Sequence, residues 1–411
     1  MSNSPTFSCV SFPVLPYDLG VEKAMDELKS IGFEHLMFCC SIYTGYRLVM
    51  PRDRRRAIYA LEEGRQYYRP NEEHYKETKI KPAASTDFGD ADLLAEVVKH
   101  AHERGLTVGA WLPLFANGRI AKAWPEAAVQ NLYGSRDRLF LCYNNPEVLE
   151  FAWAMTRDVV EDYGVDVVEA DKIPQTLLEL NVFSGRLDPI VRFVGSFCFC
   201  EHCVRKAGEF GLDLHGIKTH ARKLVENSLK IAPHTVNRLA AELQGDAEIP
   251  LLLVDEPMMY DLLRLRLATV REYVSHLRRR VAALRPGTQV SVAFVPPFKV
   301  GHDASAPRSW LCGQSYKNIA DVVDYINCVI HWERDVVAYD TRRAANAVAG
   351  RCRLDVHVPA YGRFSPDETP QLAEAALANG ADSVSFFCYD LMTDDMVDAL
   401  SGWVKRQHGK A

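Results

Sequence analysis

The chain lacks most of the marks that assign a protein quickly. No stretch approaches the ~20 consecutive apolar residues that cross a bilayer, so no membrane partner is expected. Met1 to Ser8 is polar and shows no charged segment leading into an apolar one. A secretory leader is therefore not expected, and the expected location is cytoplasmic. Neither the G-x-G-x-x-G dinucleotide fingerprint nor the G-x-x-x-x-G-K-[ST] phosphate loop occurs. Positive charge is not in excess: 48 Lys and Arg stand against 54 Asp and Glu, which argues against a nucleic-acid partner. The one basic run, Arg52 to Arg56, is short and broken by Asp53, and reads as a solvated loop. The 11 cysteines are odd in number and scattered, which points to reduced thiols rather than a disulfide framework. No repeat of 20–50 residues is visible.

What the chain does have is an ordinary globular composition, 48% hydrophobic and 25% charged over 411 residues. Eight short apolar runs recur: Phe7–Val14, His35–Tyr43, Thr107–Phe115, Val165–Ile173, Gln289–Pro296, Val322–Trp332, Arg353–Tyr361 and Asp382–Leu391. Helical patterns separate them, among them Val21–Ile31, Ala91–Arg104 closed by Gly105, and the long Pro257–Leu284. Eight strands alternating with helices predict an α/β fold, a (β/α)8 TIM barrel, formed by a single domain over residues 1–411. The rival, an open doubly wound sheet, lacks its phosphate fingerprint here. Residues 174–256 read as a long insertion after strand four.

Strand parity then sorts the side chains. Asp355, His357, Pro359 and Tyr361 share one face of run seven. Tyr325, Asn327, His331 and Glu333 share one face of run six, and Ser383, Ser385 and Tyr389 one face of run eight. The opposite faces are apolar and suit packing on helices. A structural barrel fills its lumen with branched aliphatics, and polar groups there cost free energy unless paired. A working pocket at the C-terminal barrel face is the better reading.

The acids at those strand ends are the first candidates. Run four places Val165, Val167, Glu169 and Asp171 on one side. Two carboxylates two residues apart can raise one pKa and leave the other ionised, which suits a general acid beside an ionised partner. Glu333 ends run six and Asp390 ends run eight, while Asp18 follows run one. Glycoside hydrolysis needs two carboxyl groups across the scissile bond. Tyr43, Trp111, Trp332, Tyr361 and Tyr389 sit at the same ends and offer flat faces to a sugar, with His331 and His357 placed to orient a hydroxyl or tune a carboxylate. A paired buried carboxylate or a helix cap competes for each acid, and most strongly for Asp18 and Asp390.

Cys198, Cys200 and Cys203 form C-x-C-x2-C, three thiols at metal-ligand spacing. Zinc is the candidate ion. A fourth ligand has to come from elsewhere, because His202 is awkwardly adjacent to Cys203; buried thiols without metal remain the other reading.

Several segments together carry a resemblance. They are Tyr-Thr-Gly-Tyr-Arg-Leu-Val-Met-Pro-Arg (43–52), Ile-Lys-Pro (80–82), Ala-Trp-Leu-Pro-Leu (110–114), Asn-Leu-Tyr-Gly (131–134), Leu-Cys-Tyr-Asn-Asn-Pro (141–146), Cys-Phe-Cys-Glu-His-Cys (198–203) and Trp-Leu-Cys-Gly-Gln-Ser-Tyr (310–316). The chain resembles, from about Phe7 to Leu391, the TIM-barrel glycoside hydrolases of the "hypothetical glycosyl hydrolase" group, related to the α-amylase and family 10-like superfamily. That resemblance implies a sugar-binding barrel whose strand-four acid, here Glu169 or Asp171, leads the catalysis. One departure matters. Many retaining barrel glycosidases carry a nucleophilic acid at the end of strand seven, and here that strand ends His-Val-Pro-Ala-Tyr-Gly-Arg (357–363), without one. A second carboxylate would have to come from Glu333 or Asp390.

The expectation is thus a glycoside hydrolase acting on a small glycoside or oligosaccharide. A barrel that binds a sugar without cleaving it is the alternative, as is a zinc-dependent hydrolase or lyase using the cysteines. The Arg-rich helix 257–284 is expected to expose Arg264, Arg266, Arg271, Arg278, Arg279 and Arg280 to solvent or to a second copy in a homo-oligomer.

Overall fold

A computed structural model describes residues 5–52, 55–173, 188–242, 248–294, 311–362 and 364–409. The end of the fifth run at Pro296, Trp310, Asp53 and the first part of the insertion (174–187) lie outside the described residues.

Eight parallel strands close into a barrel: β1 (Thr6–Ser11), β2 (His35–Cys39), β3 (Thr107–Pro113), β4 (Val167–Asp171), β5 (Gln289–Phe294), β6 (Tyr325–Val329), β7 (Arg353–Pro359) and β8 (Ser383–Phe387). Each pairs with the next in sequence, and β8 pairs back onto β1. This is the (β/α)8 fold, and the period-2 pattern explains it. The outward residues, such as Val168 and Ala170 of β4, Ile326 and Cys328 of β6, Val356 and Val358 of β7, and Val384 and Phe386 of β8, are fully buried. They bury under the surrounding helices, the main stabilising term of the fold.

The helices begin and end where local chemistry permits. Asn145 accepts from the Glu147 amide, with Pro146 opening the helix Pro146–Arg157. Asp92 accepts from the Ala95 amide ahead of Leu93–Glu103. Helix Val21–Ile31 stops at Gly32, whose φ of 102° is open to glycine and costly for other residues.

The lumen is polar, as parity predicted. Ser383 and Ser385 donate to Asp355 at 2.5 and 2.6 Å, and Ser385 also meets Ser8 at 2.5 Å. Met37 lies beside Gly109 on the neighbouring strand, and a Cβ at position 109 would come within 2.6 Å of the Met37 methyl, so that flexible side chain would have to shift. A cavity of about 350 Å3 occupies the N-terminal half, lined by Ser8, His35, Tyr325, Asn327, Asp355 and Ser383 among others. It lies at the opposite end of the barrel from the strand-four acids.

Between β4 and β5 the described residues form six helices: Pro189–Gly195, Glu201–Glu209, Leu214–Ser228, Pro233–Glu242, Glu248–Asp255 and Pro257–Leu284. Apolar side chains of several of these helices form a second core, which includes Phe193, Ile217, Val225, Leu262 and Cys198, Cys200 and Cys203, together with Val129 and Phe140 of the hairpin Ala128–Gln130/Arg136–Leu141. No described helix is long and apolar enough to cross a membrane.

Three expectations are corrected. The stretch from Thr44 to Asp90, rich in Arg, Tyr and Pro and readable from the sequence only as a long loop, contains a hairpin, Arg47–Val49 with Ile58–Ala60. Arg52 is not a solvated member of a basic run: it is 6% exposed, pairs with Glu27 at 2.8 Å and donates to the Met392 carbonyl. Arg266 is not on an outer face either. Its guanidinium lies 3.5 Å from the Phe197 ring centroid and donates to the Ser196 and Leu311 carbonyls. A planar fork with several donors can be buried where backbone acceptors meet it, which helical periodicity alone does not reveal.

Candidate functional site

The strand-four acids sit where parity places them. Register aligns Trp111 with Glu169 and Pro113 with Asp171 across β3 and β4, and Glu169 with Ser291 across β4 and β5. Asp171, the last residue of β4, stays partly open: its side chain is 14% exposed. Trp111 Nε1 donates to Asp171 Oδ2 at 3.0 Å, and the Lys172 amide donates to Oδ1 at 2.7 Å. Lys172 adopts φ 56°, a conformation that side-chain-bearing residues seldom take. Its Nζ lies 4.0 Å from Asp171 Oδ2 and 4.6 Å from the Tyr43 ring centroid.

Glu169 lies one layer deeper, at 2% exposure, and Oε2 has no hydrogen-bond partner among the described residues. Burial pushes its carboxyl up to about 8; His357 pulls the other way, while Asp171 and Asp355 add to the rise. The acid is therefore protonated at neutral pH. Across the lumen, His357 Nε2 stands 3.2 Å from Asp355 Oδ2, an ion-pair contact without the alignment of a hydrogen bond. Burial disfavours the imidazolium, but the Asp355 carboxylate beside it outweighs that cost and holds the His357 pKa above its ordinary value. Asp355 is likewise opposed by burial, yet His357, Ser383 and Ser385 bring it below the usual carboxylate range.

Aromatic rings crowd this mouth. Phe387, the last residue of β8, makes ring contacts with Phe12 (6.1 Å), Trp111 (6.4 Å), His331 (5.0 Å) and Tyr361 (5.9 Å). Tyr361 Oη meets His331 Nδ1 at 3.4 Å. Burial, with the His357 charge adding to it, lowers the His331 pKa to about 3, so that ring is neutral. Tyr43 and Tyr46 are joined through their hydroxyls. Trp332 is half-buried against the barrel core. Glu333 lies beyond the end of β6, exposed, immediately before helix Arg334–Val348.

Three of the expected residues sit elsewhere. Asp390 is fully buried, and accepts from Ser11 Oγ at 2.8 Å and from the Phe12 and Leu15 amides at 2.7 and 2.8 Å. Both its oxygens thus hold the segment that leaves β1. Burial still raises its pKa, to about 6, against those donors. Tyr389 is also fully buried; its hydroxyl donates to Glu27 at 2.7 Å, with Arg52 over its ring. The Asp18 carboxylate accepts from Tyr59 Oη at 2.5 Å and the Arg55 amide at 2.9 Å, and ties the hairpin to the first helix, Val14–Leu19.

Cys198, Cys200 and Cys203 lie in the insertion core, 2–7% exposed, and not among the residues of the mouth. A fourth thiol, Cys142, joins them there.

Sequence reasoning passed over Phe387, Lys172 and Cys142. Phe387 is inward by the same parity that marked Ser385, so its signal was present. Lys172 owes its place to one unusual backbone angle. Cys142 stands 56 positions before Cys198, and no spacing rule connects the two.

No family model matches the chain, and no curated protein matches it. Solved structures do. It is similar to alpha-L-fucosidase isoenzyme 2 from Paenibacillus thiaminolyticus (14% identity, TM-score 0.56, covering 99% of this chain and 50% of that one). It is similar to a beta-galactosidase from Bacillus circulans sp. alkalophilus (12%, TM-score 0.57, 98% and 56%). It is also similar to the catalytic domain of beta-amylase from Paenibacillus polymyxa (10%, TM-score 0.55, 99% and 99%). The chain spans only 50% and 56% of the length of the first two. At such identities the likeness is one of fold, a barrel used by glycoside hydrolases.

Proposed function

We propose that the protein is a glycoside hydrolase that takes a small glycoside or oligosaccharide at the C-terminal mouth of the barrel. The observation that carries this reading is Asp171: an inward strand-end carboxylate, open to the mouth, fixed by Trp111 and the Lys172 amide, and surrounded by rings on which a sugar can stack. The fold it shares with glycoside hydrolases agrees with it.

Asp171 is the carboxyl group that faces the anomeric carbon, where positive charge develops in the transition state. Glu169 is not its acid partner in this reading. It is too buried to reach a leaving oxygen, and its role is to stay neutral. Two charged carboxylates on one strand face would repel, and a neutral Glu169 avoids that repulsion. Glu333, on the rim two strands further round, is the residue that protonates the leaving oxygen. Tyr43, Trp111, Tyr361 and Phe387 supply stacking surface, His331 accepts or donates to a hydroxyl as a neutral ring, and His357 sets the local field.

The test is release of aryl leaving groups from a panel of aryl glycosides by the wild type and by Asp171→Asn. Turnover that disappears in the variant supports the reading. Equal turnover in both overturns the role of Asp171. Tight sugar binding by calorimetry with no product over days overturns hydrolysis itself, in favour of a barrel that binds without cleaving.

A further inference from the structure

The four cysteines of the second core come from two places in the chain. Cys142 follows the hairpin strand Arg136–Leu141, and Cys198, Cys200 and Cys203 flank the start of helix Glu201–Glu209. All four are buried, none is in a disulfide, and their sulfur atoms all lie within 4.8 Å of one another. Cys142 Sγ stands 3.5 Å from Cys200 Sγ and 3.6 Å from Cys203 Sγ. These separations are far beyond a disulfide bond, at about 2.05 Å. They are close to the edge of a tetrahedron of sulfurs around a zinc ion, roughly 3.8 Å when each Zn–S bond is about 2.3 Å.

The surroundings suit thiolates rather than thiols. The Gln130 amide donates to Cys198 Sγ and Asn144 Nδ2 to Cys203 Sγ, each at 3.3 Å. Cys200 is the N-cap of a nine-residue helix and Cys203 lies in its first turn, where the helix end favours negative charge. Hydrogen bonds to metal-bound sulfur are what a tuned outer shell supplies. Four buried sulfur ligands with no oxygen or imidazole among them select zinc over hard cations, and a closed set of four leaves no position for substrate.

We propose that Cys142, Cys198, Cys200 and Cys203 bind one zinc ion, and that the ion staples the post-β4 insertion to the hairpin that follows β3. Binding displaces the thiol protons to solvent, so four S–H bonds give way to four Zn–S bonds with no change of oxidation state. The staple has a visible partner: the Phe199 amide donates to the Gln130 carbonyl at 2.7 Å, the backbone link between the same two segments. The hairpin is in turn joined to the barrel mouth, because the Asn117 amide donates to Leu139 and the Gly118 amide to the Tyr43 carbonyl. The ion is structural, and does not depend on the glycosidase reading.

The experiment is elemental analysis of the full chain expressed with zinc and dialysed, beside Cys142→Ser and Cys200→Ser. The expected result is one zinc per chain in the wild type and a loss of at least about tenfold in each variant. Cobalt replacing zinc should give the visible absorption of a tetrahedral thiolate site. Removing the metal with a chelator should speed hydrogen exchange in 188–242 while the β3 amides stay protected. No metal in the wild type, iron in place of zinc, or full zinc retention by Cys142→Ser overturns the proposal. If the variants do not fold, the wild-type stoichiometry and the cobalt spectrum decide it alone.

Discussion

Asp171 and Asp390 stand on the same end of one barrel, one at the last residue of β4 and the other just beyond β8. In sequence they look alike, since each is a carboxylate after a run of apolar residues. In the structure they have opposite work. Asp171 has one oxygen on an indole N–H, and part of its side chain faces the mouth. Asp390 has both oxygens on the chain leaving β1, and no exposed surface. The difference teaches that a strand-end acid is made chemical or structural by what the neighbouring loop offers it. Where backbone donors converge, the carboxylate satisfies them, because a buried amide left unpaired costs about 1–3 kcal/mol.

The sharpest way to break this comparison is to remove each charge in turn. Asp171→Asn should lower kcat/KM on the best glycoside on the order of 1,000-fold, with a melting temperature within about 2 °C of the wild type. Asp390→Asn should do the reverse: a loss of about 2–5 kcal/mol of stability, since it sets an amide N–H against buried donors, and kinetic constants within about twofold once the folded fraction is allowed for. Denaturant melts and steady-state rates on both variants check it. Equal effects of the two substitutions on turnover would remove the contrast.

A second, smaller effect concerns pH. Glu169 is held protonated up to about 8 in the folded chain, whereas an unfolded glutamate loses its proton near about 4.3. Between those values the folded state binds one more proton than the unfolded state, so this group's contribution to stability falls as pH rises and levels off above the folded pKa. Glu169→Gln removes that dependence. The variant should gain stability relative to the wild type as pH goes from 5 to 9, measured by melts at several pH values, while its turnover at neutral pH stays within about tenfold. A stability difference that does not change with pH would show that Glu169 is already ionised.

Trp111→Phe keeps a ring and deletes the donor to Asp171. A lost hydrogen bond to a charged group is worth about 1.5–3 kcal/mol, so a fall in kcat of roughly 10- to 100-fold is expected, with KM changing less. The smallest effect is expected at Asp18. Asp18→Asn weakens the tie from the first helix to the hairpin and should cost about 1 kcal/mol of stability without moving KM for any glycoside. A rise in KM would bring Asp18 back to the substrate.

The legibility of the molecule followed the range of the interactions. Barrel strands were readable because parity repeats every two residues, and it marked Glu169, Asp355, His357, Ser383 and Ser385 as inward without any coordinates. It also ran too far: run six was read through Trp332, whereas β6 ends at Val329, and Glu333 belongs to the approach to a helix. Periodicity on the Arg-rich helix placed Arg266 outside, because a pattern of polar positions cannot foresee a buried guanidinium met by carbonyls from Ser196 and Leu311. The cysteines split the same way. C-x-C-x2-C is local and was visible, while its completion by Cys142 depends on how two loops pack.

By itself the amino-acid sequence determined the eight-strand alternation, the polar lumen and the inward pair Glu169 and Asp171, because each follows from the two-residue period of a strand and from the cost of burying unpaired polar groups. Only the tertiary structure decided which acids are spent on backbone amides, which remains open at the mouth, and which fourth thiol meets the other three. Those outcomes rest on contacts between segments tens to hundreds of residues apart, and no local pattern encodes the distance between them.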